Sequence, residues 1–186
     1  MSDPYLYPGS DVLRNKLGLT DATRLEVMER LLVTQRIAEG VPSGIFDLTH
    51  LRAIHKHIFQ DLYEWAGEIR RVEIAKDGDQ FQFCRFIETG MANVHARLVQ
   101  IDHLKGLNRS DFASQAANIV GDVNYNHPFR EGNGRVQLQY LSLLAANAGH
   151  PVNLSRIDPR LWLDASRAAF RADYTPMSAE IARIIE

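Results

Sequence analysis

Asn126-His127-Pro128-Phe129-Arg130-Glu131-Gly132-Asn133-Gly134-Arg135 runs without a break into Val136-Gln137-Leu138-Gln139-Tyr140-Leu141-Ser142-Leu143-Leu144. A polar, glycine-bearing loop that passes straight into an apolar helix builds an anion site. The unpaired N–H groups of the first helical turn point at the ligand, the helix dipole favours negative charge, and glycine permits close approach. Phosphate is the natural guest. Arg135, at the start of the helix, can fork to phosphate oxygens. Glu131 offers a hard carboxylate oxygen of the kind taken by Mg²⁺, an ion that keeps one or two protein carboxylates and fills its other positions with water and substrate phosphates. His127 is the group whose ordinary pKa, about 6.5, suits a general base near neutral pH. Taken singly, each piece has a plain structural explanation: Asn-Gly is commonly a turn, His-Pro a loop detail, and Arg130 beside Glu131 a solvated charge pair. Their concentration at one junction, residues 127–148, points instead to phosphate chemistry.

Outward from this junction the helical punctuation is regular. Thr20 is placed as an N-cap with Asp21 in the first turn, Leu25, Met28, Leu31 and Leu32 recur at helical spacing, and Gly40 closes the segment. Asp47 opens a second helix whose Leu51, Ile54, Ile58 and Phe59 form one apolar face, ending near Gln60 or Leu62. Further helices are predicted at about 87–101, at about 111–125 behind a Ser110/Asp111 cap, at about 133–148, and at about 158–172 and 176–185. Residues 1–19, with Pro4, Pro8, Gly9 and Gly18 among aromatics, read as an irregular arm over the body.

Between Ile69 and Phe86 the helical period disappears. Val72-Glu73-Ile74 alternates ahead of Lys76-Asp77-Gly78-Asp79 and Gln80-Phe81-Gln82-Phe83 follows. Asp-Gly between alternating segments is the strongest short-range hairpin signal, so residues 69–86 are predicted to form the chain's one β-hairpin. The expected fold class is therefore mainly α, a helical bundle with a small hairpin flap.

Length and composition agree with one domain spanning 1–186: hydrophobic residues make up 45% and charged ones 24% of 186 residues. Lys plus Arg number 21 against 23 for Asp plus Glu, which disfavours a fold-wide electrostatic grip on nucleic acid, and no direct nucleic-acid partner is expected. Cys84 stands alone, which excludes an intrachain disulfide and suits a reducing compartment. Met1-Ser2-Asp3-Pro4-Tyr5 shows no basic region followed by an apolar run, and no stretch approaches the roughly 20 apolar residues needed to span a bilayer. The expectation is a cytoplasmic protein with no membrane partner.

His127 to Arg135 reproduces the His-x-Phe-x-(Asp/Glu)-Gly-Asn-Gly-Arg signature of Fic-domain proteins without a mismatch. Asp3-Pro4-Tyr5-Leu6-Tyr7-Pro8-Gly9, Asn15-Lys16-Leu17-Gly18, the Tyr63-to-Gly67 segment and the hairpin also resemble their counterparts in compact bacterial Fic toxins. The resemblance implies the Fic fold, a helical bundle with a flap beside the active-site loop and helix. It implies transfer of a nucleotide monophosphate, most often AMP from ATP, onto a hydroxyl side chain of a target protein. On this basis His127 takes the hydroxyl proton, Phe129 points into the core, and Glu131 holds Mg²⁺ on the nucleotide phosphates. Gly132, Asn133 and Gly134 cradle those phosphates while Arg135 binds and neutralises them. The flap, Val72 to Phe86, pairs with an extended segment of the target. In related compact toxins the targets are the ATP-binding subunits of DNA gyrase and topoisomerase IV.

Two positions depart from the family pattern. The second Arg, three residues after the first, is Leu138, which opens the identity of the donor; Gln137 and Gln139 offer only neutral hydrogen bonds and are expected to point elsewhere on the helix. An inhibitory motif of Ser or Thr, three residues, then Glu and Gly or Asn has its nearest match in Thr34 to Gly40, one residue too long, and Ser178 to Glu186 does not fit either. The resemblance is thus to the class restrained by a separate small antitoxin protein. Two alternatives stay beside the adenylyltransferase reading: a Fic enzyme that transfers another nucleotide or phosphate-containing group, and a catalytically silent protein-binding module.

His50, His55 and His57 lack the i, i+4 pairing of a zinc helix and read as structural or surface residues. Arg70-Arg71 beside the hairpin reads as a solvated edge.

Overall fold

The helix Arg109–Asn126 packs against several of the other helices in the computed structural model, which describes residues 3–76 and 78–186. Along the chain the helices are α1 (Ala22–Ala38), α2 (Leu48–Phe59), α3 (Ile87–Gln100), α4 (Arg109–Asn126), α5 (Asn133–Asn147), α6 (Pro159–Phe170) and α7 (Thr175–Ile184). Small residues line α4: Ala113, Ala116 and Ala117 are buried with Phe112, Ile119, Val120 and Val123, and they let α3, α5, α6 and α7 approach it. α2 packs against α1, α3 and α5, and its predicted face of Leu51, Ile54, Ile58 and Phe59 is fully buried. None of the described helices is long and apolar enough to cross a membrane.

The helix ends follow from caps that satisfy otherwise orphaned N–H groups. Asp47 accepts from His50 N, and Asp158 accepts from Arg160 N and Leu161 N. At α1 the cap is Asp21, which accepts from Arg24 N, one residue after the expected Thr20. At α4 it is Asn108, which accepts from Asp111 N, so the helix starts before the expected Ser110/Asp111 cap.

The flap is shorter than the 69–86 span suggested. Its antiparallel ladder joins β1 (Ala75–Lys76) to β2 (Asp79–Gln80), with Ala75 opposite Gln80 and Lys76 opposite Asp79. Phe81 N donates to Ile74 O at 3.2 Å and extends the pairing by one step. Asp77, the first residue of the predicted Asp-Gly turn, lies outside the described residues, as do Met1 and Ser2. Residues Cys84–Phe86 have already turned into a 3-10 helix that leads into α3. The N-terminal arm is fixed to the body at several points. Tyr5 packs edge-on against Trp65 with ring centroids 5.4 Å apart, and Asp3 pairs with Arg130 at 2.9 Å, which brings the arm to the loop before α5.

Candidate active site

The loop between α4 and α5 begins with an unusual backbone. His127, the C-cap of α4, has φ 43° and ψ 60°, the left-handed region that costs a non-glycine residue about 1–2 kcal/mol. Several contacts hold it there. His127 N donates to Val123 O at 3.1 Å, Arg70 Nε donates to His127 O at 2.8 Å, and Arg70 N donates to Pro128 O at 2.9 Å. The imidazole is stacked under Phe81 of the flap, ring centroids 3.7 Å apart at 20°. Its Nδ1 lies 3.0 Å from Asn124 O. A carbonyl oxygen only accepts, so Nδ1 carries the proton and the lone pair stands on Nε2. Burial, with smaller contributions from the Arg70 and Lys76 charges and against the Asn124 hydrogen bond, pushes the ring down to about 4. His127 is therefore neutral at pH 7, with an acceptor nitrogen free.

The next residues are closed into a rigid loop by their own side chains. Asn133 Oδ1 accepts from Phe129 N at 2.9 Å while its Nδ2 donates to Phe129 O at 2.8 Å. Phe129 is fully buried and stacks on the His55 ring, centroids 4.0 Å apart. Gly67 N donates to His55 Nδ1 at 2.8 Å, so His55 Nε2 carries the proton and donates to Glu131 O at 3.1 Å. Burial pushes this imidazole down to about 4 as well, leaving a neutral strut between α2 and the loop. Gly132 has φ +80°, and a Cβ there would lie 2.2 Å from the Phe59 ring. Glu131 Oε1 accepts from Gly132 N at 2.8 Å, which aims the carboxylate.

These residues form one wall of a cleft of about 900 Å³. Of the residues singled out in the sequence, His127, Glu131, Gly132, Asn133 and Gly134 all line it. A Cβ on Gly134 would meet nothing within 4 Å, so this position leaves open volume at the α5 N-terminus, where the first N–H groups lack intrahelical acceptors. Arg135 is placed otherwise. It is not among the residues lining the cleft; it pairs with Glu29 of α1 at 2.6 Å and lies 4.8 Å over the Phe59 ring, with Glu131 at 3.5 Å.

Sequence reasoning missed several participants. Arg70 is not a solvated edge: it is 2% exposed, while Arg71 is in water. Gln137 does not point elsewhere; it lines the cleft with Leu138, its amide buried. Helix geometry carried that signal, since 134, 137 and 138 share a face. His55 and Phe81 had no local signal, because their importance comes from residues 76 and 46 positions away.

Known proteins resemble this chain in sequence and fold. Residues 45–145 match the Fic/DOC family, more than half of the chain. The chain belongs to the Fic/DOC family. A probable protein adenylyltransferase of Sinorhizobium fredii is 39% identical over 186 residues, covering 100% of this Fic/DOC chain and 97% of that relative. The protein adenylyltransferase VbhT of Bartonella schoenbuchensis is 37% identical over 98% of this chain, which spans 39% of VbhT. Among solved structures, BepC of Bartonella tribocorum, a VirB-translocated effector protein crystallised with AMPPNP, superposes with a TM-score of 0.89 at 27% identity, covering 98% of this chain and 96% of that one. The mainly helical Fic fold with its small flap is thereby shown.

Proposed function

We propose that this Fic/DOC chain transfers AMP from ATP to a hydroxyl side chain of a protein docked on the flap. The observation that carries the reading is that one cleft brings together a neutral imidazole with its lone pair on Nε2, a directed carboxylate and an open helix N-terminus. The names of the relatives and the AMPPNP bound to BepC support ATP as the donor. His127 Nε2 accepts the proton of the target hydroxyl as its oxygen bonds to the α-phosphorus. The bond from that phosphorus to pyrophosphate breaks, and the AMP ester remains on the target. The N–H groups at the start of α5 receive the phosphates in the space beside Gly134. Arg135 exchanges Glu29 for phosphate as negative charge arrives. Glu131 fits Mg²⁺, being a single directed carboxylate beside a phosphate space, and the ion when bound supplies neutralisation of phosphate charge. An extended target segment adds to the edge of β1 or β2.

Gly134→Ala separates ligand space from stability. The variant should melt at or above the wild-type temperature, gaining up to about 1 kcal/mol of helix propensity. It should bind ATP about tenfold more weakly by calorimetry because the methyl group occupies the cradle. Unchanged ATP affinity would argue against phosphates at this helix end.

Leu138 and the Gln137 amide face the cleft one turn beyond Gly134, where the family pattern has an arginine, and this favours a second reading with a different donor. A donor screen decides: purified protein, Mg²⁺, bacterial lysate and each α-phosphate-labelled nucleotide in turn, with Glu131→Ala as control. Labelling of a protein from ATP alone, lost in the control, is the expected result. Labelling from another nucleotide selects the second reading, and none from any donor selects transfer of another phosphate-containing group or a silent binding module. The finer proposal is a toxin acting in the cytoplasm on an essential bacterial protein, such as the ATP-binding subunit of gyrase or topoisomerase IV, and restrained by a separate antitoxin protein. It is supported by the likeness of the sequence to compact Fic toxins, and by Glu39 of the Thr34–Gly40 segment, which pairs with Arg36 at 2.9 Å within its own helix.

A further inference from the structure

We infer that Arg70 is a positioning residue that locks the flap and His127 into one rigid unit, so that a target strand registered on the flap is registered against the base. The inference rests on the transfer reading above for its catalytic consequence and on the geometry alone for the coupling.

Arg70 has no exposed side-chain surface, and its one carboxylate partner among the described residues, Glu73 at 3.3 Å, is itself half in water. Removing a guanidinium from water is costly unless every donor is used, and an apolar residue of similar size could fill the same space more cheaply. The contacts explain why a guanidinium stands there. Nε donates to His127 O at 2.8 Å on the catalytic loop, and Nη1 donates to Val72 O at 2.9 Å on the leg entering the flap. Nη2 donates to Gln82 O on the leg leaving it, and Cys84 Sγ lies 3.0 Å from Nη1. One planar fork thus joins both legs of the flap to the catalytic loop 57 residues away in sequence, a task that a point donor such as lysine cannot perform. The join is doubled by main-chain bonds: Arg70 N to Pro128 O at 2.9 Å and Gln82 N to Tyr125 O at 3.1 Å. It ends beside Phe81, the residue stacked on the imidazole. The left-handed backbone of His127 and the position of both flap legs are therefore set by the same group.

Two measurements test this. In the wild-type protein, amide hydrogen exchange should show the Arg70, Gln82 and His127 amides opening together, with protection factors within about threefold of one another. Opening of Gln82 more than tenfold faster than His127 would overturn the coupling, whether or not the protein transfers nucleotides. The second is the Arg70→Lys variant, which keeps the charge and loses the fork. It should bind ATP within about threefold of wild type and show an unchanged KM for ATP. Its labelling rate at saturating ATP should fall about 100-fold, the loss expected when reacting groups are misplaced by about 1 Å. A rate within threefold of wild type, or a loss confined to KM, would overturn it. If wild-type protein labels nothing from any donor, the transfer reading fails and the exchange measurement alone decides the coupling; if Arg70→Lys does not fold, the same wild-type measurement decides.

Discussion

His127→Ala should lower the rate of AMP transfer about 10³-fold, the middle of the range contributed by a positioned general base, while ATP affinity stays within about twofold. The two effects separate because the imidazole stands at the C-terminus of α4 under Phe81, whereas the phosphate space lies at the N-terminus of α5 beside Gly134. The wild-type pH profile should carry the same residue's signature. A base with an ordinary pKa would lose its lone pair below about pH 6.5. Burial has moved this one down to about 4, so the neutral form persists and the rate should hold its plateau from pH 7 to about pH 5 before declining. Labelling rates with purified target across pH 4–8, beside calorimetric ATP binding to the variant, check both statements. An acid limb centred on pH 6.5 would show that the ring is solvated during turnover.

Gly132→Ala should be the most destabilising single methyl addition in the catalytic loop. At φ +80° an alanine is strained by about 1–2 kcal/mol, and its Cβ would stand 2.2 Å from the Phe59 ring. Phe59 cannot retreat easily, being fully buried with the Arg135 guanidinium 4.8 Å over its ring. Overpacking adds roughly 1–3 kcal/mol, so a total near 3 kcal/mol and a fall of about 10 °C in melting temperature are expected for a chain of this size. Pairing the change with Phe59→Leu should recover part of the loss by relieving the clash but leave the backbone strain. An equal cost of Gly132→Ala in the wild-type and Phe59→Leu backgrounds would assign the whole effect to φ.

The legible parts of this protein were those written in local chemistry. The second helix and its buried face followed from Asp47 and the spacing of Leu51, Ile54, Ile58 and Phe59, and the junction at His127 to Arg135 marked the cleft. The caps at Thr20 and Ser110 were displaced because neighbouring oxygen-bearing side chains compete for the same N–H groups, and the chain's direction of entry selects among them. The arginine pair failed for a different reason. On an extended segment successive side chains face opposite ways, so Arg70 and Arg71 were never equivalent, but only the packed structure shows which one enters the interior. His55 was unreadable because a histidine bridging Gly67 to Glu131 exists only after α2 and the loop have met.

The clasp between Asn133 and Phe129 also bears on how long the molecule lasts. Asn-Gly is the dipeptide most prone to deamidation, a reaction in which the glycine nitrogen attacks the asparagine side-chain carbonyl and ammonia leaves. Here the amide is held at both ends by the Phe129 main chain, and the two residues are wound into the first turn of α5, away from the geometry of attack. Folding thus acts as a preservative for this one bond, and each excursion to the open chain exposes it to ageing. Water then opens the cyclic imide to aspartate or isoaspartate, whose carboxylate could no longer donate to Phe129 O, so the clasp that closes the loop before α5 is lost. Old protein should therefore lose nucleotide binding before it loses its helices.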